Sequence, residues 1–126
     1  MDKHQDDNPW QTLSSRIAYN DNPYLRVRED KVIKPDGTEG LYSVVESKSG
    51  VVVIARTDHD ELYLIESFRY PLQEWRWELP GGGMDGDNTP LESAKIELEE
   101  ELGFQADTWE ELGMIYPSEN GAMTDP

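Results

Sequence analysis

Glu97, Glu100 and Glu101 fall within a segment, "TPLESAKIELEEELG", that reads as one helix. At about 100° per residue, Ser93, Glu97, Glu100 and Glu101 gather on one side of it. A stripe of Leu91, Ala94, Leu98 and Leu102 lies beside them and is expected to be buried. Glu92, Lys95 and Glu99 take the remaining surface. Glu97 and Glu101 are i,i+4 neighbours, and Glu97 and Glu100 are i,i+3. Like charges at these spacings destabilise an isolated helix by roughly 0.2–0.5 kcal/mol per pair. All three also sit in the C-terminal half, where the helix dipole favours cations. A hard divalent cation resolves the conflict, because Mg2+ and Mn2+ prefer carboxylate, carbonyl and water oxygens and often bridge to phosphates. The alternative is a solvated acidic face, the common fate of a Glu-rich helix.

The segment before the helix favours the cation. "PGGGMDGD" carries glycines at 81, 82, 83 and 86, so backbone can approach an ion or a phosphate without side-chain obstruction. Thr89 suits the N-cap, Pro90 the first helical position, and Glu92 completes a capping box. Gly103 supplies the stop. Glycine loop, capping box and three acids on one face together outweigh the solvated-face reading.

These residues need a scaffold, and the upstream sequence reads as β structure. "TLSSRIAYN" and "YLRVREDKVIK" partly alternate around the turn-rich "DNP". "KPDGTEG" marks a tight reversal. "LYSVVE" and "VVVIAR" are β-branched runs joined by "SKSG", and "ELYLIESF" follows the hairpin loop "TDHD". "PLQEWRWELPGGG" is a short strand running into the glycine loop, and "ELGMIYP" reads as one more strand after the helix. The expectation is an α+β fold, with a small antiparallel N-terminal sheet ahead of a mixed sheet-and-helix layer. Its expected limits are a flexible 1–9, an N-terminal β subdomain at 10–47 and a main domain at 48–126.

Composition narrows the function. The chain has 126 residues, with four Trp and six Tyr to build a modest core. Its formal net charge of -16 argues against nonspecific partners such as nucleic acid or an anionic membrane. An anionic substrate would need a local reversal of that field, which a divalent cation provides. Cysteine is absent, which excludes thiolate metal sites and fits a reducing cytoplasm. "MDKHQDDNPW" has no apolar signal-peptide core, and the longest apolar run, Val51 to Ala55, is far too short to span a membrane.

"GGMDGDNTPLESAKIELEEELGF" resembles the signature of the Nudix hydrolases: Gly, five residues, Glu, seven residues, Arg-Glu, an aliphatic, any residue, Glu-Glu, any residue, Gly, an aliphatic. Gly82 opens the pattern; Glu97, Leu98, Glu100, Glu101 and Gly103 fall in register, and Phe104 takes the closing apolar position. The stretches "WQTLSSRIAYNDNPYLRVREDKVIKPDGTEGLYSVVE" and "ESFRYPLQEWRWELPGGG", with the later "YPSENGAMTDP", are similar to the ADP-ribose pyrophosphatase branch. The resemblance implies a Nudix-type fold and Mg2+- or Mn2+-dependent hydrolysis of ADP-ribose or another nucleoside diphosphate sugar. It also implies a homodimer formed through the N-terminal β subdomain.

Carried over position by position, the resemblance makes the Gly81 carbonyl, Glu97 and Glu101 metal ligands, and Glu100 a ligand or the nearby base. Gly82 and Gly83 would shape the substrate pocket. Arg69 matches a phosphate or ribose contact, with a plain salt bridge the alternative. Glu78 matches a position near the site, with a structural ion pair the alternative. For Trp10, Trp75, Trp77 and Trp109, core packing is favoured over stacking on a base.

The sequence departs from the pattern at two signature positions. Asn88 stands in place of the first Glu and Ile96 in place of the Arg. Ile96 cannot pair with carboxylates as an arginine would, so weaker metal affinity or a lower rate is expected, unless Arg69 or Arg76 compensates. Related chains also continue with further strands and a closing helix, and with a loop carboxylate taken as general base. Glu119 and Asp125 are the acids available for that role here. The rival reading is a catalytically weak or inactive nucleotide-binding or regulatory module.

Overall fold

The computed structural model describes residues 7–115 and the backbone of Met123 and Thr124. Its strands are β1 (Gln11–Asn22), β2 (Leu25–Ile33), β3 (Glu39–Ser47), β4 (Gly50–Val52), β5 (Ile65–Arg69), β6 (Glu74–Glu78), β7 (Gly81–Gly83) and β8 (Met123–Thr124). One α-helix, α1 (Pro90–Leu102), and a 3-10 turn at Tyr70–Leu72 complete the described elements. They fall into two compact units. One runs to Lys48 and takes in the described residues from Met114 on; the other is Ser49–Gly113.

In the first unit, β1, β2 and β3 form an antiparallel meander, and β8 adds to β3 in parallel. The "KPDGTEG" reversal forms as expected. The Lys34 N–H donates to the Thr38 carbonyl at 2.8 Å, and the Asp36 side chain accepts from the Thr38 N–H at 2.9 Å. Val32 and Val44 are the buried apolar residues of this sheet. Beside them lie two buried acids, Asp30 and Glu46. Burying a charge is costly unless it is paired, and both are. Glu46 accepts from Arg26 and Arg28, and Asp30 accepts from Arg28 at 2.9 Å. The Arg26 hydrogen bond is the main reason the Glu46 carboxyl titrates below its usual range. For Asp30 the leading cause is a hydrogen bond from Ser15, followed by Arg28.

In the second unit, β4 pairs antiparallel with β7, and β5 with β6 as a hairpin. The helix packs on β7 and β4. Leu98, 1% exposed, and Pro80 are the most deeply buried side chains, with Val53 close behind. Phe104, just past the helix, packs against Tyr63 with ring centroids 4.8 Å apart.

The local pattern misplaced several features. "VVVIAR" and "ELYLIESF" are regular strand only in part, in β4 and β5, although the hairpin loop expected at "TDHD" does form, closed by an Arg56–Leu62 bridge and a Thr57 N–H to Glu61 carbonyl bond of 2.9 Å. Residues 111–115 form no strand; Tyr116 and Pro117 lie outside the described residues. The buried helix stripe is rotated. Leu91 is 47% exposed, while Ser93, expected on the acid face, is 3% exposed and its hydroxyl has no partner. Core packing fails for Trp75 and Trp77, which are 63% and 67% exposed. They alternate with charged residues along β6, and strand alternation puts them on the face opposite Arg76 and Glu78. Glu119 and Asp125 lie outside the described residues.

Candidate active site

The helix that carries the acids is set by its ends. The Thr89 hydroxyl accepts from the Glu92 N–H at 3.1 Å, and the Glu92 carboxylate accepts from the Thr89 N–H at 2.9 Å. That reciprocal box fixes where α1 begins. At the other end Gly103 takes φ 74°, a left-handed conformation that glycine enters without a Cβ penalty, and its N–H caps the Glu99 carbonyl at 2.9 Å.

The glycine strand β7 lies along the acid side of α1. The Gly81 N–H donates to Glu101 Oε2 at 3.2 Å. At Gly82 an added Cβ would fall 2.5 Å from the Glu97 carboxylate carbon and from Oε1. Glycine there is what lets the Glu97 carboxylate lie against the backbone. Gly83 borders open space, so nothing packs where its side chain would be. Glu97 is half-buried, whereas Glu100 and Glu101 are exposed. Burial, then the charges of Glu100, Glu101 and Asp85, push the Glu97 carboxyl above its ordinary range.

Asp85 is a residue the sequence reading passed over. It sits inside the glycine loop, where its carbonyl accepts from the Asn88 N–H at 3.4 Å. The clue was its place in "PGGGMDGD", four positions after Gly81. Asn88 is half-buried, and Ile96 is exposed on the helix surface.

Arg69 and Glu78 face each other on the hairpin. Arg69 Nε donates to Glu78 Oε2 at 2.8 Å, and Nη2 donates to Oε1. This bidentate bond holds the Glu78 carboxyl below its usual range. The negative charge of Glu101 also acts on the Arg69 guanidinium. Arg76 pairs instead with Glu74 at 2.9 Å.

Among the described residues, no lysine or arginine lies within ion-pairing distance of Glu97, Glu100 or Glu101. No three acidic or histidine side chains among them converge on one point as a ready-made cage. The donor set still fits a hard divalent cation. It is all oxygen, it carries excess negative charge, and one member is pressed into partial burial without a basic partner. Mg2+ is commonly held by one or two carboxylates with water and substrate phosphates, and such a site needs no three-carboxylate cage.

Comparison with known proteins decides the family. Residues 46–124 match the NUDIX domain model. The chain belongs to the Nudix family. Residues 10–45 match a second model, the nucleoside diphosphate sugar hydrolase N-terminal domain. Every site residue described above lies in the Nudix segment. An ADP-ribose pyrophosphatase of Mycobacterium tuberculosis is 32% identical over 82% of this chain and 50% of its own length. A methanol dehydrogenase activator of Bacillus methanolicus is 31% identical over 70% of this chain and 48% of its own. A crystal structure of an ADP compounds hydrolase superposes with a TM-score of 0.69, covering 79% of this chain and 54% of that one, at 20% identity. That similarity establishes the Nudix-like fold. The chain spans about half the length of the curated relatives it matches.

Proposed function

We propose that this Nudix chain is a metal-dependent pyrophosphohydrolase that cleaves the diphosphate of ADP-ribose or a related nucleoside diphosphate sugar. The observation that carries the reading is the seating of the signature carboxylates on the glycine strand, Glu97 against Gly82 and Glu101 on the Gly81 N–H. The family and the names of its relatives supply the substrate class. The Gly81 carbonyl, Glu97 and Glu101 would hold the ion, with Glu100 a further ligand or the nearby base. Bound there, Mg2+ or Mn2+ would neutralise diphosphate charge and polarise the phosphoryl oxygens.

The protein's own groups do the rest. Glu100 is exposed and unpaired among the described residues, so it is free to accept a proton from the attacking water. Arg69 keeps N–H donors for a phosphate oxygen. Gly82 and Gly83 leave the backbone open to the diphosphate. Water oxygen bonds to one phosphorus, the bond from that phosphorus to the bridging oxygen breaks, and ADP-ribose gives AMP and ribose 5-phosphate.

The test is product release from a panel of nucleoside diphosphate compounds with Mg2+ or Mn2+, beside Glu100→Gln. Hydrolysis that needs the metal and falls in the variant supports the enzyme. Hydrolysis indifferent to both overturns it, and nucleotide binding without turnover assigns the chain to a binding module instead.

We further propose a homodimer through residues 10–47, with 48–126 as the catalytic part. β1 is a 12-residue edge strand, exposed along nearly its whole length, with Leu13, Ile17 and Tyr19 open to solvent. Long exposed edges of this kind pair with other chains. Light scattering at micromolar concentration should give the dimer mass; a well-folded monomer would reject this arrangement.

A further inference from the structure

Strand register gives Arg69 a nearer choice than the one it makes. Across the hairpin Arg69 stands directly opposite Glu74, and Glu78 stands opposite Ile65. Directly opposed, opposite charges make a favourable cross-strand pair. Arg69 instead runs back along its own strand, past Ser67, to bond Glu78 through two nitrogens. Glu74 is taken by Arg76, which stands opposite Ser67. Ser67, Arg69, Glu74, Arg76 and Glu78 all belong to one face of the hairpin by strand alternation.

The partner Arg69 has chosen is the one nearest the site. Glu78 is separated from Gly81 only by Leu79 and Pro80, and the Gly81 N–H holds Glu101. An arginine bonded to Glu74 would point toward the Tyr70–Leu72 turn, at the other end of the hairpin. Bonded to Glu78, the guanidinium has its Nε–H and one Nη2 hydrogen occupied. Three of its five N–H donors remain for another ligand.

We propose that Glu78 is a positioning residue that aims Arg69 at the acid cluster, and that Arg76 secures this choice by occupying the competing carboxylate, Glu74. Arg69, so aimed, is the fixed cation that receives the diphosphate of the substrate. This deepens the pyrophosphohydrolase reading and rests on it. It also joins the two readings of Glu78, a position near the site and an ion pair, by having the residue act through Arg69.

The test combines steady-state kinetics on ADP-ribose with calorimetric binding of inorganic diphosphate in Mg2+, and with the 15N side-chain resonance of Arg69 in the free protein. Glu78→Gln should raise KM and the diphosphate Kd about tenfold, the scale of one charge-assisted hydrogen bond, with kcat within about threefold. Arg69→Ala should do the same, and adding Glu78→Gln to it should cost nothing more. Arg76→Ala frees Glu74 to draw Arg69 away, so KM should rise about threefold, and Glu74→Gln on top should restore it. A role of Arg76 in folding alone would not be rescued in that way. The Arg69 Nε–H resonance should be protected from exchange in the parent chain and lose that protection in Glu78→Gln.

An undiminished effect of Glu78→Gln in the Arg69→Ala background overturns the proposal, as does failure of Glu74→Gln to rescue Arg76→Ala. If the parent chain neither hydrolyses ADP-ribose nor binds inorganic diphosphate, the functional reading falls, and the role of Arg69 falls with it. Diphosphate binding with no protected Arg69 resonance overturns the positioning alone.

Discussion

The carboxylate of Glu97 occupies the space where a side chain on Gly82 would begin, 2.5 Å from the ideal Cβ position. Glu97 lies on a helix and Gly82 on a strand, and the tertiary fold presses one onto the other. Gly82→Ala must therefore move the carboxylate. The displaced atoms are the far end of a flexible side chain, so stability should change by less than about 1 kcal/mol. Metal-dependent hydrolysis should fall by at least about tenfold, since reacting groups displaced by about 1 Å lose catalytic effect steeply. Circular dichroism melts beside turnover assays check both halves.

Glu97 carries a charge the folded chain resists. Its folded carboxyl is raised by burial first and then by Glu100, Glu101 and Asp85. A raised carboxyl contributes stability that is full below its unfolded value and is lost as pH rises through the folded one. At neutral pH without divalent metal, Glu97→Gln should therefore be the more stable protein, by roughly 0.5–1 kcal/mol. Mg2+ or Mn2+ should stabilise the parent more than the variant, narrowing or reversing the order. Thermal melts with and without metal read this directly.

The acids of the N-terminal sheet behave in the opposite sense. Glu46 is lowered chiefly by Arg26, and Asp30 chiefly by Ser15 and then Arg28. Lowered carboxyls contribute stability that is present above their unfolded values and is lost as pH falls through the folded ones. Denaturant midpoints should thus drop on acidification below pH about 4, the model-peptide carboxylate range. In Glu46→Gln that acid-side drop should be shallower, and midpoints at neutral pH should be lower, because two arginines lose their charged partner.

Ile96 is 42% exposed, so an arginine can replace it without disturbing the core. Ile96→Arg restores the signature cation beside Glu100, and the combination with Asn88→Glu restores the missing acid. The double variant should gain at least about fivefold in kcat/KM or in Mn2+ affinity, the effect of one well-placed charged group. Equal values for parent and variant would mean that the two departures are silent.

The helix limits were legible because they follow local rules. Thr89, Pro90, Glu92 and Gly103 satisfy backbone groups within a turn of themselves, and no distant residue is needed to place them. The "KPDGTEG" turn was legible for the same reason. The buried side of α1 was less so. Its mean 100° step put Ser93 among the acids, but the helix packs on the glycine strand β7 and on β4, and Ser93 is one of its two buried residues. Leu91, two residues earlier and about 200° round the helix, faces the other way and stays 47% exposed.

Trp75 and Trp77 show a similar limit. Size and apolarity favour burial, yet whether anything covers a strand face depends on what the rest of the chain brings to it.

Residue types and spacing thus determined the family signature, the position of the helix and the identity of its acids, since these depend on neighbours within a few residues along the chain. Only the tertiary structure decided that Glu97 lies on Gly82, that Asp85 adds its charge to Glu97, and that Arg69 bonds Glu78 rather than the opposed Glu74. Each of those depends on register and packing between separate elements, where competing partners of the same charge are present and geometry selects among them.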